Sequence, residues 1–237
     1  MAEETGLWLI DGEDAGAGDP WEWDDVVEGG TATFLLSDAA KAHGTYGYRV
    51  TGDGATASVY GRKNYTTAAE LYFRFYVKLQ AGCAGIGGWH NILLAQVMDG
   101  ATIVFSFGIL ADGGDPYTIV KWTTSGTGSG LSATQPTTNF SLGARHYVEI
   151  YTKTDADGGE GGVKVWVDGD IAYDDMDQNW ASEPDRLYVG INNRALADGH
   201  VIDFDDIKCD SSPIGAYSDA GGTIVPLLMN YYRRLRS

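Results

Sequence analysis

The stretch VIDFDDIKC, Val201 to Cys209, alternates apolar and polar residues, and its reading decides the fold. Two further stretches carry the same period. In LYFRFYVKL, Leu71 to Leu79, the residues Leu71, Phe73, Phe75, Val77 and Leu79 form one face; Tyr72, Arg74, Tyr76 and Lys78 form the other. VKVWVDGDIAYDD, Val163 to Asp175, adds a hairpin turn at Asp168-Gly169. Strand side chains point to alternate faces, so a period of two marks a half-buried strand. Such strands, dense in aromatics and divided by Gly-rich turns, specify an all-β sandwich.

The bulk composition agrees. A chain of 237 residues can bury the core of one large sandwich. Its 33 glycines against 6 prolines suit many tight turns, because Gly enters positive φ freely. Disorder is excluded by a hydrophobic content of 43% and an aromatic content of 12%. The net charge of −17 excludes nucleic acid as a partner, since phosphate needs a positive surface. Three of the arginines, Arg233, Arg234 and Arg236, fall in the last five residues, and no acid follows Asp219. The C-terminus thus reads as a basic tail on an acidic body. No segment approaches the roughly 20 apolar residues of a membrane span. The start, MAEETGLWLIDGED, lacks the basic and apolar regions of a signal peptide.

The strands are expected at Leu7–Ile10, Ala32–Leu36, Tyr46–Val50, Ala57–Tyr60, Leu71–Leu79, Asn91–Val97, Thr102–Leu110, Thr118–Thr123, His146–Lys153, Val163–Val167, Ile171–Tyr173, Leu187–Ile191 and His200–Lys208. Met98-Asp99-Gly100 marks a hairpin. The acidic segment from Gly12 to Gly30 and the Gly/Ser/Thr-rich stretch from Ser125 to Thr138 read as loops. So many short strands fit a two-sheet antiparallel jelly roll over residues 1–210. Residues 211–237 read as a linker and an apolar, arginine-closed docking tail. Cys83 and Cys209 leave two readings open, a bridge or two free thiols.

In order and spacing, Asp11-Gly12-Glu13, HGTYGYRV, FRFYVKL, RHYVEIYTK, VKVWVDG and DFDDI resemble the concanavalin A-like lectins and glucanases in their laminin-G-like variants. The resemblance implies a jelly roll whose chain ends meet on neighbouring strands. It does not fix function, because lectins, carbohydrate-binding modules, glucanases, lyases and virion proteins share the fold.

Catalysis finds little in the sequence. A retaining glucanase needs two carboxylates about 5 Å apart. No strand carries the Glu pair with an intervening Asp that laminarinase-like members show; Glu149 stands alone, and Asp203, Asp205 and Asp206 fall on what reads as an edge strand. Lyases of this fold need a Tyr or His base with Arg and Gln to neutralise a uronate. Gln96 in LLAQVMD resembles the Gln of their Gln-x-His strand, but Met98 stands at the His position and no Arg-rich partner strand is evident. An acidic body would also repel an acidic polymer. His43, His90, His146 and His200 are scattered singly.

Three sites remain as candidates. Asp11, Glu13, Asp203, Asp205 and Asp206 match the positions at which related jelly rolls hold structural calcium, a hard cation taking oxygen ligands. The alternative is that they face solvent or cap turns. Trp89, His90, Trp122, Asn192, Asn193 and Arg194 could form a glycan face of aromatic platforms and hydrogen-bonding groups. Trp21, Trp23 and Trp180 also lie in or near predicted loops, and the alternative is that tryptophans plug the core. In the tail, Leu227, Leu228, Tyr231, Tyr232, Arg233, Arg234 and Arg236 invite docking on another copy or a partner; the alternative is a disordered end or a strap across its own domain. The expectation is a non-catalytic, lectin-like jelly roll on an assembled surface, a phage virion decoration or fibre-associated protein. A secreted carbohydrate-binding module or a polysaccharide-degrading enzyme is the alternative.

Overall fold

Period two becomes pairing in the computed structural model, which describes residues 8–12, 22–80, 83, 90–111, 117–122, 132–134, 141–155, 160–178, 183–192 and 199–215. The strands are β1 (Trp8–Ile10), β2 (Asp25–Val27), β3 (Thr33–Ser37), β4 (Gly47–Thr51), β5 (Ser58–Asn64), β6 (Glu70–Leu79), β7 (His90–Asp99) and β8 (Thr102–Ala111). They continue as β9 (Tyr117–Trp122), β10 (Ser132–Thr134), β11 (Arg145–Lys153), β12 (Gly161–Val167), β13 (Asp170–Gln178), β14 (Arg186–Asn192) and β15 (Val201–Asp210). The described residues contain no α-helix, and hence no helix long and apolar enough to cross a membrane.

Two antiparallel sheets form the sandwich. The eight-stranded sheet runs β13-β12-β11-β6-β15-β4-β3, with β1 on β15. The seven-stranded sheet runs β10-β9-β8-β7-β14-β5-β2. The expected jelly roll is therefore what the chain forms, and its two ends meet, Trp8 standing opposite Cys209. The inward rows are mainly apolar: Phe73, Phe75, Phe204, Leu71 and Leu79 from one sheet face Phe105, Phe107, Val97 and Val189 from the other, all 0% exposed. Burying each of these side chains stabilises the fold by about 1.5–3 kcal/mol.

Three expectations are corrected. β15 is not an edge strand; it is flanked by β6 and β4, and its Asp203, Asp205 and Asp206 are buried. A bulge between Asp205 and Lys208, with Asp206 at φ 46°, resets the alternation so that Ile207 and Cys209 return to the core. The stretch taken as one loop from Ser125 to Thr138 contains β10, and the acidic segment from Gly12 to Gly30 contains β2. At three residues each, these strands are too short to display a period; pairing with β9 and β5 holds them. Trp23 belongs to the core, its ring edge-on to Phe34 and Tyr48 at 5.6 Å from each. Cys83 and Cys209 are both free and buried. Cys83 bonds the Val201 carbonyl, at the opposite end of β15 from Cys209, so the strand's own length keeps the thiols too far apart to bridge.

Candidate functional site

The outward rows of the seven-stranded sheet carry polar residues on its middle strands. β7, β14 and β5 lie side by side, and their register makes one transverse row: Gln96 stands between Ser106 and Tyr188, and Tyr188 stands between Gln96 and Arg62. The residues on either side of this row in β7, β8 and β14, such as Val97 and Val189, point into the core. The alternation that builds the sandwich therefore delivers Ser106, Gln96, Tyr188 and Arg62 to one surface.

A hydrogen-bonded chain fixes this surface. Ser58 Oγ donates to Asn192 Oδ1 at 2.9 Å, Asn192 Nδ2 donates to Gln96 Oε1, and Gln96 Nε2 donates to Ser106 Oγ at 3.2 Å. Four strands are linked by one line of amides and hydroxyls. Gln96 is only 2% exposed, so its geometry is locked by the pairing. Tyr60 and Tyr188 stack with centroids 4.7 Å apart and planes 9° from parallel. Burial, then the neighbouring Tyr188, raises the Tyr60 phenol above the ordinary tyrosine range, while Arg62 works against them. Arg62 pairs with Asp25 at 3.2 Å. Its Nε is buried with no hydrogen-bond partner in the described structure. Tyr60, Tyr188, Gly190, Asn192, Gln96 and Leu93 line a depression with an empty volume of about 120 Å³. That space is open to solvent and encloses no room for even a water molecule, so a ligand would lie along the face rather than inside it.

A second cluster lies on β15. Asp203 is spent on Arg49, which donates from Nε at 2.7 Å and Nη2 at 3.0 Å, and on the Gln80 amide. Asp205 accepts the backbone N–H groups of Ala42 and His43, and that of Asp206 at 2.9 Å. His43 Nδ1 meets the Asp206 carboxylate. His43, Asp205 and Asp206 each bring one ligand atom, all within 4.8 Å of one another. Burial, joined by repulsion from Asp206, pushes the Asp205 carboxyl up to about 7. Arg145 lies near Asp203, Asp205 and Asp206, its own ionisation disfavoured by burial. Two buried carboxylates with this excess of negative charge fit a cation, with Asp205 and Asp206 as its carboxylate ligands.

The structure separates the residues singled out from the sequence. Asn192 is in the hydrogen-bonded chain. Trp89, Asn193 and Arg194 lie outside the described residues, as do Trp21 and Trp180. The side chains of His90 and Trp122 lie outside them too. β7 begins at His90 and β14 ends at Asn192, and because the two strands are antiparallel these points share one end of the sheet. Trp122 stands in register with Phe105, towards the other end of β7. Of the expected calcium ligands, Asp205 and Asp206 stand together. Asp203 is turned to Arg49, and Glu13 is outside the described residues. Asp11 lies beside Tyr48, whose phenol is raised by burial and by Glu22 before Asp11. Leu227, Leu228, Tyr231, Tyr232, Arg233, Arg234 and Arg236 all lie outside the described residues. The virion reading drew on that tail. Tyr60, Tyr188 and Arg62 were missed as site residues; the polar residues of YGRKN and RLYVGIN recur at period two, which is the signal that could have found them.

No family model matches the sequence, and no curated protein matches it. Solved structures do match. An endo-β-1,4-glucuronan lyase from Trichoderma reesei is 16% identical with a TM-score of 0.63, over 88% of this chain and 96% of the lyase. The cellulose-induced protein Cip1 is 14% identical with a TM-score of 0.62, over 89% of this chain and 100% of its own. An alginate lyase from Aplysia kurodai is 11% identical with a TM-score of 0.59, over 88% and 100%. Likeness at these identities establishes the shared jelly roll. It also overturns the non-catalytic expectation, because this architecture, matched over nearly the whole of each chain, is one that carries polysaccharide lyases. One ground of that expectation was the lack of an Arg-rich strand beside Gln96; β5 and β14 bring Arg62 into its row and Arg186 opposite Met98.

Proposed function

We propose that the protein binds an acidic polysaccharide across the outer face of its seven-stranded sheet and cleaves it by β-elimination. The observation that carries this reading is the row Ser106–Gln96–Tyr188–Arg62, with Asn192 bonded to Gln96. In this reaction a base removes the proton from C5 of a uronate. Its electron pair forms the C4–C5 double bond, the C4–O4 bond breaks, and O4 leaves with a proton. The C5 proton becomes removable only when the carboxylate beside it is neutralised. Amide and guanidinium donors from Gln96, Asn192 and Arg62 suit that task. Tyr188, between Gln96 and Arg62 in register, is the group assigned to proton transfer, and Tyr60 holds its ring in place.

Structural calcium belongs to the same proposal, with Asp205 and Asp206 as its carboxylate ligands. It would steady the opposite sheet and takes no part in the elimination. Of the expected glycan residues, Trp89, Asn193 and Arg194 lie outside the described residues, and His90 begins β7 at the end of the sheet where Asn192 sits, off the line of the transverse row; none of the four has a role in this reading. Trp122 has no role in this reading.

The test is incubation with a panel of uronic-acid polymers, with release of unsaturated uronate followed by its ultraviolet absorbance. Release from at least one polymer, lost in Tyr188→Phe with binding retained, is expected. Binding without release by the wild-type chain would reduce the function to glycan recognition. Neither binding nor release would end the proposal.

A further inference from the structure

The chain leaves β15 at Asp210 and crosses the outer face of the eight-stranded sheet, away from the polysaccharide face. Two buried side chains hold it there. Glu149 on β11 accepts the N–H groups of Ile214 at 3.3 Å and Gly215 at 2.7 Å. Arg74 on β6 donates from Nη1 to the Gly215 carbonyl at 3.2 Å. Glu149 is 7% exposed and Arg74 3%, and Ile214 is itself buried.

The direction of travel is set by the sheet order, in which β15, β6, β11, β12 and β13 are successive neighbours. Residues 211–215 pass from β15 to β11, so β12 and β13 come next. In the row of Glu149 those strands present Trp166 and then Ile171. Trp166 is half-buried beneath the Lys164 ammonium, 5.5 Å from its ring centroid. Ile171 is 50% exposed, the highest value among the large described hydrophobics. Among the described residues β13 pairs only with β12, so it is a sheet edge, and an edge left bare invites pairing with other chains. Asp168, Asp170 and Asp174 lie exposed along this edge, Asp174 also meeting Lys164 at 2.5 Å and Asp168 meeting His146 at 2.6 Å.

The sequence beyond Gly215 matches this surface in both respects. TIVPLLMNYY, residues 223–232, is apolar, and Arg233, Arg234 and Arg236 close the chain with no acid after Asp219. Residues 216–237 could span roughly 70 Å when extended. β13 lies only about 10 Å beyond β11, at the usual spacing between strands. Reach is ample, and charge and polarity are complementary.

We propose that the C-terminal segment of the same molecule covers Trp166 and Ile171, with its arginines on the acidic edge of β13. The segment is then an intramolecular strap. Hydrogen exchange on the full chain tests this, comparing wild type with Arg233→Glu/Arg234→Glu/Arg236→Glu and with Leu227→Asp/Leu228→Asp. Amides of residues 163–175 should exchange about tenfold faster in both variants, while those of β6 stay protected. Protection in the wild type should survive hundredfold dilution. Equal exchange in all three proteins would overturn the strap. Loss of protection on dilution would assign the surface to a second copy and overturn it equally. A variant that unfolds is covered by a second measurement: Ile171→Cys/Leu228→Cys should oxidise to a cross-link within the monomer. Cross-linked dimers, or no cross-link, would overturn the proposal.

Discussion

Tyr60 and Tyr188 stack nearly parallel, although their backbones are offset: Tyr188 stands opposite Arg62 and Tyr60 opposite Gly190. The missing side chain at Gly190 gives Tyr60 room to lean toward its neighbour. Any Cβ there would meet the Val59 carbonyl and the Tyr60 backbone, at a φ of 141° that favours glycine. The pair differs in setting, since Tyr188 is next to Gln96 and Tyr60 is one row away. Tyr188→Phe should therefore lower turnover by about 100-fold or more, the usual scale for a lost proton-transfer group. Tyr60→Phe, which keeps the ring, should cost less than tenfold. Unsaturated uronate release measures both, and equal losses would refute the division of roles.

Gln96 makes the sharpest electrostatic test. Its amide is buried and bonded at both ends, to Asn192 and Ser106. Gln96→Glu keeps the shape but replaces a donor with a negative charge, which loses the amide's bond to Ser106 and faces the incoming carboxylate. Binding of an acidic polymer should fall by at least tenfold, about 1.4 kcal/mol, while a neutral glucan should be little affected. Affinity electrophoresis in gels of each polymer separates these outcomes.

The body as a whole repels such a polymer, with a net charge of −17. Arg62 beside Tyr188 acts at short range, where salt screens least. Raising ionic strength from about 0.01 M to 0.15 M shortens the Debye length from about 30 Å to 8 Å and removes mainly the repulsion. KM for a uronan should fall over that range. A rise in KM would mean that local attraction governs encounter.

The fold was legible where strands are long. LYFRFYVKL declares its two faces in sequence, and the observed β6 keeps them, with Leu71, Phe73 and Phe75 inward. The site was legible only in part. Gln96 stood out by resemblance, but its partners come from residues about 35 positions before it and 90 after it. Period two says that Arg62 and Tyr188 face the same way as alternate neighbours on their own strands. It does not say that β14 lies between β7 and β5. That order is set by packing across the whole sandwich, so the row appears only once the sheet is assembled. The same gap explains Asp205 and His43, which are brought together by backbone N–H groups from the segment before β4.

Gly61 tests the core beneath the site. Trp23 packs against it so closely that a Cβ would drive into the indole ring, and Trp23 also locks Phe34 and Tyr48 edge-on. Gly61→Ala overpacks this contact, which should cost about 1–3 kcal/mol. A two-state denaturant titration should show a lower midpoint with an unchanged slope. No loss would show that the ring can yield.

The acid cluster on β15 predicts how stability depends on pH. An aspartate in an unfolded chain titrates near 3.9, whereas burial and Asp206 push Asp205 up to about 7 in the fold. Between those values the folded chain holds a proton that the unfolded chain has released. By linkage, stability contributed at this site is greatest at the acid end and falls as pH rises through the window. Above pH 7 the buried charge is present in full, and the loss amounts to at most about 4 kcal/mol. Asp205→Asn forfeits some of the bonds to Ala42 and His43, so its absolute stability drops, but its profile from pH 4 to 7 should be flatter. Calcium on Asp205 and Asp206 would take the proton's place, raising Tm most above pH 7 and flattening the wild-type profile in the same way. Thermal melts at pH 4, 6 and 8, with calcium and with chelator, decide the matter. Parallel wild-type and Asp205→Asn profiles would remove Asp205 as the titrating group, and melts indifferent to calcium would remove the ion from the cluster.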